Sequence, residues 1–129
     1  MKKTIYLWVS YEGWKPFDYE LQSTKDLLID KSINIGEGAE IGDEIKIGEG
    51  AKIGEGAKIG CGTDICYEAK IGDEAEIGYG AKIGDGTEIG DGAKIGDGIE
   101  IGNRAKICDG ANIVYGAKIS NGAKIVKSL

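Results

Sequence analysis

The sequence contains no histidine, a single proline, a single methionine and an odd number of cysteines, three. Without histidine, the chain lacks the side chain that most often serves as a general base and as a metal ligand near neutral pH. Three cysteines without histidine do not make a standard zinc site, so we predict no bound metal and no cofactor. An odd set of cysteines also predicts reduced thiols in a cytoplasmic protein rather than a disulfide framework.

Basic residues and long apolar runs are also scarce. The 16 Lys and Arg residues are outnumbered by 22 Asp and Glu residues, which leaves a net charge of -6. An acidic chain of this kind is not expected to bind nucleic acid generally. The longest apolar run near the start, residues 5–9, is far shorter than the roughly 20 residues of a membrane-spanning helix. We therefore expect no membrane partner.

The sequence does contain a regular repeat of six residues. An isoleucine recurs at every sixth position from Ile35 to Ile125, sixteen times without interruption. The residue two positions earlier is small or apolar and the residue between is mostly charged, which predicts a short strand with alternating side chains. The Gly-acid-Gly segment that usually follows suits a tight corner. Strand and corner, repeated without insertion, must wind into a coil.

The glycine spacing excludes other glycine-rich architectures. Gly36, Gly38 and Gly42 lie two and then four positions apart, whereas collagen requires glycine at every third position. Ile41 and Ile59 occupy positions where a dinucleotide-binding fingerprint requires its third glycine. No glycine is followed by lysine and then serine or threonine, so the sequence contains no P-loop.

The units resemble those of the hexapeptide-repeat family, in which an aliphatic residue is often followed by glycine, with a small residue four places on. The resemblance covers residues 33–126. It implies an all-β fold, a left-handed parallel β-helix of about five coils with three hexapeptides each, in which residues eighteen apart stack. It also implies a homotrimer with ligands in clefts between subunits. The family's acyltransferases use a histidine base and its carbonic anhydrases three histidines on zinc, so neither mechanism carries over to this chain.

Residues 1–32 differ in composition from the rest and hold six of the nine aromatic residues. We predict that they form a small aromatic-rich N-terminal cap, and that residues 33–129 form the coil domain. Two roles remain open for the cap. It covers the hydrophobic end of the first coil, presents Trp8, Tyr11 and Trp14 as an exposed surface for a protein partner, or does both.

The pattern within the cap predicts three elements. Alternating apolar residues indicate a strand over residues 4–11, followed by a turn over 12–15 and a second strand over 17–21. Ser23 with Asp26 three residues later indicates a helix start, followed by one or two helical turns.

Stacking of residues eighteen apart predicts three outward columns. Two alternate in charge and indicate solvated faces. They are Glu40, Lys58, Glu76, Lys94, Asn112 and Lys46, Asp64, Lys82, Glu100, Lys118. The third is basic, with Arg104 at a nearby corner, and contains Lys52, Lys70, Glu88, Lys106 and Lys124. Either lysine is tolerated on an open face, or this column contacts an anionic partner.

Two corner columns also carry a signal. The acidic column Glu37, Glu55, Asp73, Asp91, Asp109 indicates a solvated edge, with calcium binding as the alternative. The column Asp43, Cys61, Tyr79, Asp97, Tyr115 places aromatic residues where glycine or aspartate is usual. Exposed aromatic residues indicate contact, so we predict a subunit interface or cleft wall. Its residues are Cys61, Tyr67 and Val114, together with Trp8 and Trp14 of the cap.

These patterns favour a non-catalytic trimeric protein that binds or sequesters an anionic nucleotide-like small molecule. The predicted phosphate ligands are Lys52, Lys70, Lys106, Lys124 and Arg104, with Tyr79 or Tyr115 stacking on the ligand. One alternative is a structural or assembly module that binds a protein through the N-terminal cap, which we also call the head, or through its C-terminal end. Another is an acyl-CoA-dependent acyltransferase without histidine. Cys66 is predicted to be a packed small residue rather than a nucleophile.

Overall fold

The computed structural model of this chain describes residues 3–114 and 116–126. Sixteen short strands wind from residue 34 to residue 125 as a parallel β-helix of about five coils, as predicted. Almost all the strands contain two residues and end on the repeated isoleucine. They are β3 (Asn34–Ile35), β4 (Glu40–Ile41), β5 (Ile45–Ile47), β6 (Lys52–Ile53), β7 (Lys58–Ile59), β8 (Asp64–Ile65), β9 (Lys70–Ile71), β10 (Glu76–Ile77), β11 (Lys82–Ile83), β12 (Glu88–Ile89), β13 (Lys94–Ile95), β14 (Glu100–Ile101), β15 (Lys106–Ile107), β16 (Asn112–Ile113), β17 (Lys118–Ile119) and β18 (Lys124–Ile125).

Every third strand belongs to the same sheet. Sheet 1 contains β3, β6, β9, β12, β15 and β18, sheet 2 contains β4, β7, β10, β13 and β16, and sheet 3 contains β5, β8, β11, β14 and β17. We call the turns that follow sheets 1, 2 and 3 corners 1, 2 and 3. Each strand residue pairs with the residue eighteen positions later, as Ile53 does with Ile71. The predicted outward columns are therefore confirmed.

The core is a narrow column filled by the isoleucines and the small residues two positions before them. Ala81 and Ile83 are fully buried, and Lys82 between them is exposed. Thr63 and Thr87 occupy inward positions where other units have alanine. Their hydroxyls each donate a 2.8 Å hydrogen bond to a corner carbonyl, so the buried polar atoms are satisfied.

The corners use glycine for two different reasons. The position directly after the isoleucine lies against the next coil, and a Cβ on Gly72 would lie 2.5 Å from the backbone nitrogen of Asp91. Two positions later the backbone adopts a positive φ, which is 69° at Gly92. Among the coil residues that the structure describes, the non-glycine residues that share this conformation are Glu44, Glu68, Glu74 and Arg104.

The N-terminal residues extend sheet 3 and cover the first coil. β1 (Thr4–Val9) pairs with β2 (Gly13–Asp18) as an antiparallel hairpin, and it also pairs in parallel with β5. Ile5 and Leu7 of β1 are fully buried, and the helix α1 (Gln22–Asp30) buries Leu28 in the same core. The head therefore caps the coil. Because β1 shares a sheet with the coil, the division into two domains stays a prediction.

The hairpin differs from the prediction at its turn. The first strand ends at Val9, because Glu12 donates a backbone hydrogen bond to the Val9 carbonyl at 3.0 Å and Tyr11 adopts a φ of 69°. The predicted turn over 12–15 and strand over 17–21 are wrong, since β2 already begins at Gly13. Pro16 is tolerated within β2 because this strand is the outermost of its sheet.

The predicted helix start is also wrong. Ser23 lies inside α1, which begins at Gln22, and Leu21 occupies the N-cap position without a side-chain hydrogen bond. Asp26 instead accepts a 3.0 Å hydrogen bond from the Gln22 side chain. No helix in residues 3–114 and 116–126 has the length and apolar composition needed to cross a membrane.

Candidate functional site

The outward column of sheet 1, which we call the lysine face, places like charges beside one another. Lys52 pairs in register with Lys70, and Lys106 pairs in register with Lys124. Glu88 lies between the two pairs. Within the described part of the chain, none of these lysines forms an ion pair. The lysine face therefore presents unneutralised positive charge on an acidic protein.

Two shallow grooves flank the lysine face. The groove beside corner 1 has a volume of about 370 Å³ and is lined in part by Lys70, Lys106 and Lys124. The groove beside corner 3 has a volume of about 360 Å³ and is lined in part by Lys52 and Lys70. Arg104 lies at corner 3, where its Cγ would be 3.4 Å from a Cβ added to Gly86 of the second groove. Lys70 borders both grooves and is the central cation of this face.

A larger groove follows sheet 2 beside corner 2. Its volume is about 740 Å³, and its lining includes Lys58, Lys94, Cys61, Tyr79 and Val114. Tyr79 and Val114 are 63% and 60% exposed, so they form an apolar rim. This groove contains the aromatic residue that the sequence predicted to stack on a ligand.

One chain does not bring the predicted ligand-binding residues together. Corner 2 joins sheets 2 and 3, so Tyr79 lies on the side of the coil opposite the lysine face. Tyr115 lies outside the described residues. The assignment of the lysines, Arg104 and Tyr79 to one ligand stays a prediction, and within a single chain these side chains line separate grooves.

The predicted interface residues fall into two places. Cys61 and Val114 lie at corner 2, whereas Trp8, Trp14 and Tyr67 surround a cavity of about 420 Å³ between the head and corner 3. Sequence reasoning did not find this cavity, because Trp8 reaches corner 3 only through the pairing of β1 with β5. The role of these residues at a subunit interface stays a prediction.

The acidic corner column contributes hydrogen bonds between coils. Oδ1 of Asp91 accepts a 2.9 Å hydrogen bond from the backbone N–H of Asp73, one coil earlier. At corner 2, Asp97 accepts from Tyr79 in the same way, also at 2.9 Å. No group of three or more His, Cys, Asp or Glu side chains among the described residues is arranged to hold a metal ion. At corner 1 these carboxylates are therefore more than a solvated edge, because they link successive coils.

Cys66 is poorly suited to act as a nucleophile. Burial raises the pKa of its thiol, as do the negative charges of Asp85 and Asp64 and a hydrogen bond with Asp85. A raised pKa lowers the fraction of reactive thiolate at neutral pH. Because the sequence also lacks histidine, Cys66 has no imidazole to activate it.

A family model described as bacterial transferase hexapeptide (six repeats) matches residues 50–85 and 80–115, which together make up just over half of the chain. The chain belongs to this family of hexapeptide-repeat proteins. No protein of curated function matches the sequence.

Solved structures with this fold include two acetyltransferases. The GDP-perosamine N-acetyltransferase of Caulobacter crescentus, in complex with CoA and GDP-perosamine, is 19% identical and superposes with a TM-score of 0.75 over 76% of this chain and 47% of its own. The acetyltransferase domain of PglB from Neisseria gonorrhoeae, in complex with acetyl coenzyme A, is 20% identical with a TM-score of 0.65 over 72% and 47%. The match covers less than half of either relative, and at this identity the likeness concerns the fold.

Proposed function

We propose that the chain forms a homotrimer that binds a CoA-type ligand in the clefts between subunits, with the lysine face contacting the ligand's phosphates. The observation that carries this proposal is the pair of in-register contacts, Lys52 with Lys70 and Lys106 with Lys124. Like charges directly opposite each other on neighbouring strands are destabilising. An anionic ligand would neutralise that repulsion.

The other two faces support this interpretation by contrast. On sheet 2, Lys58 stacks between Glu40 and Glu76, so opposite charges meet at each step. Sheet 3 follows the same rule from Lys46 to Lys118. A CoA-type ligand is favoured over other anions because the two structural relatives above are described in complex with CoA or acetyl coenzyme A.

The separation of the lysine face and Tyr79 within one chain supports the proposed trimer. A threefold ring uses heterologous contacts, in which one surface of a subunit meets a different surface of its neighbour. Such a ring would place the lysine face of one subunit against corner 2 of the next. The cleft would then offer cations for the phosphates and the exposed Tyr79 ring for the base of the ligand.

Calorimetric titration with CoA tests the proposal directly, with pantetheine as the ligand that lacks phosphates. The double variant Lys70→Gln with Lys106→Gln should weaken CoA binding about tenfold or more, because each substitution removes a charge-assisted contact to a phosphate of the ligand. Its matched control is Lys82→Gln with Lys118→Gln, which removes the same charge from sheet 3. Equal CoA affinity in both double variants, or equal binding of pantetheine and CoA, contradicts the proposal.

A mixing experiment tests whether the site is shared between subunits. The lysine double variant and Tyr79→Ala should each bind CoA poorly alone. After joint unfolding and refolding of equal amounts, one of the three clefts in each mixed trimer should combine an intact lysine face with an intact Tyr79, and CoA binding should partly return. No recovery in trimers shown by native mass spectrometry to be mixed would place the site within one subunit.

Acetyl transfer is a second candidate, favoured by the likeness to acetyltransferases. The chain has no histidine, so a carboxylate would have to accept the proton from the acceptor amine or hydroxyl. A thiol-detection assay for CoA release, run with acetyl-CoA and amino sugars, separates the two candidates. CoA release by the parent protein that is lost in the lysine double variant supports acetyl transfer. CoA binding by the parent protein without CoA release supports binding alone.

A further inference from the structure

The cavity between the head and corner 3 is walled by aromatic rings. Trp8 and Trp14 lie on the hairpin, Gly48 follows the neighbouring strand β5 and contributes no side chain, and Tyr67 follows β8, two strands from β1. The two indole rings have centroids 5.7 Å apart and planes at 80°, so they form two nearly perpendicular walls. The volume of about 420 Å³ lies within the usual range for small-molecule pockets.

Two carboxylates line the same cavity. Glu49 has a partner, since Lys31 Nζ lies 3.6 Å from its Oε2. Asp85 has no cationic partner among the residues that the structure describes, and its Oδ1 accepts a hydrogen bond from the Tyr67 N–H at 3.2 Å. Asp85 therefore adds a carboxylate without an ion pair to this lining, one coil below Tyr67.

Two further observations report attraction for positive charge at this place. Lys46 Nζ lies 5.8 Å from the centroid of the Trp14 ring, so that ring already faces a cation. The pKa of Cys66, which lines the cavity, is raised by burial and by the negative charges of Asp85 and Asp64. The lining of the cavity thus combines aromatic rings with the carboxylate of Asp85, and one of its rings already contacts an ammonium group.

We propose that this cavity binds a small quaternary ammonium ion such as choline. The methyl groups of such an ion pack against ring faces and need no hydrogen-bond acceptor, while its charge is attracted by the rings and by Asp85. A neutral ligand of the same shape would gain only the packing. This cavity shares no lining residue with the two grooves of the lysine face, and the proposal does not depend on CoA binding.

Tryptophan fluorescence measures binding directly, because the only two tryptophans of the sequence, Trp8 and Trp14, both line the cavity. Titration with choline should change the emission to saturation. The neutral isostere, in which carbon replaces the choline nitrogen, should bind about tenfold more weakly. Equal affinity for the two compounds overturns the proposal. So does the absence of a fluorescence change with choline, if calorimetry also detects no binding.

Two tyrosines provide a matched pair of variants. Tyr67 and Tyr79 occupy the same position in their units, are both exposed, and both donate a backbone hydrogen bond to an aspartate eighteen residues later. Tyr67→Ala should weaken choline binding severalfold, whereas Tyr79→Ala should not. Equal effects of the two variants count against the site.

The two aspartates allow the same comparison for charge. Asp85→Asn removes the negative charge and keeps an oxygen acceptor, as Asn103 does at the next position of this column. Choline binding should weaken and binding of the neutral isostere should not. Asp97→Asn is the control at corner 2 and should leave both affinities unchanged. If Asp85→Asn leaves the preference for choline intact, Asp85 does not supply the charge and the proposal fails.

Discussion

The backbone N–H of Asp73 donates a 2.9 Å hydrogen bond to Oδ1 of Asp91, the residue stacked below it in the next coil. The same bond recurs where aspartate or asparagine occupies the corner, as from Asp85 to Asn103 at 2.9 Å. It is not formed between Glu37 and Glu55 among the described side-chain hydrogen bonds, although these residues belong to the same column as Asp73. Aspartate and asparagine, whose side chains are shorter than that of glutamate, therefore supply the hydrogen-bond acceptor for the backbone N–H at these corners.

Removing that acceptor should destabilise the coil. Asp91→Ala leaves the Asp73 N–H without its partner, and we expect a loss of about 1 kcal/mol in the free energy of unfolding. Asp91→Asn keeps the acceptor and removes one of the five stacked negative charges of this column, so its stability should equal or exceed that of the parent. Urea denaturation measures both, and a larger loss in the asparagine variant would contradict this account.

Two glycines should differ in their tolerance of alanine. A Cβ on Gly72 would lie 2.5 Å from the backbone nitrogen of Asp91, so Gly72→Ala must push two coils apart. We expect a cost of about 2 to 3 kcal/mol. At Gly92 the Cβ would meet nothing within 4 Å, and only the φ of 69° resists it, which costs about 1 kcal/mol. Urea denaturation of the two variants tests this order. Equal losses in the free energy of unfolding would mean that the coils move apart at little cost.

The lysine face should carry a cost in stability. Lys52→Glu would place opposite charges beside each other at Lys70, and we expect a gain of about 0.5 kcal/mol at low salt. The gain should shrink as salt screens the pair. Lys58→Glu, which lies between Glu40 and Glu76, should have the opposite effect.

Thermal and urea unfolding at two salt concentrations compare these variants. Under the proposed function, Lys52→Glu should bind CoA more weakly although it is more stable. If Lys52→Glu destabilises the protein as much as Lys58→Glu does, the lysine face is not a site of repulsion.

Cys66 should react slowly with alkylating reagents. Burial and the nearby carboxylates of Asp85 and Asp64 raise the pKa of Cys66. At a given pH, a smaller fraction of this thiol is therefore ionised than in an unperturbed cysteine. Cys61 is exposed at corner 2. Mass spectrometry after brief treatment with iodoacetamide at mildly alkaline pH should show Cys61 modified before Cys66. Asp85→Asn should speed the reaction of Cys66, and an unchanged rate would mean that burial alone protects it.

Some features of this protein follow from the sequence alone. The six-residue period reports a local property, the alternation of inward and outward side chains followed by a tight corner, so it determines the coil, its isoleucine core and the stacking of residues eighteen apart. The in-register pairing of Lys52 with Lys70 follows from that stacking. Outside the repeats this rule does not apply, and the turn and strand predicted over 12–21 were wrong because pairing between Trp8 and Trp14 set the register of the hairpin.

Only the tertiary structure decided which surfaces meet. The three sheets of the coil place Tyr79 across from the lysine face, and the structure shows that the two line separate grooves of one chain. The cavity formed by Trp8, Trp14 and Tyr67 depends on β1 pairing with β5, a contact between segments about forty residues apart. Local periodicity determines how the chain coils. Contacts between distant segments depend on which edge of the finished coil is left without a neighbouring strand.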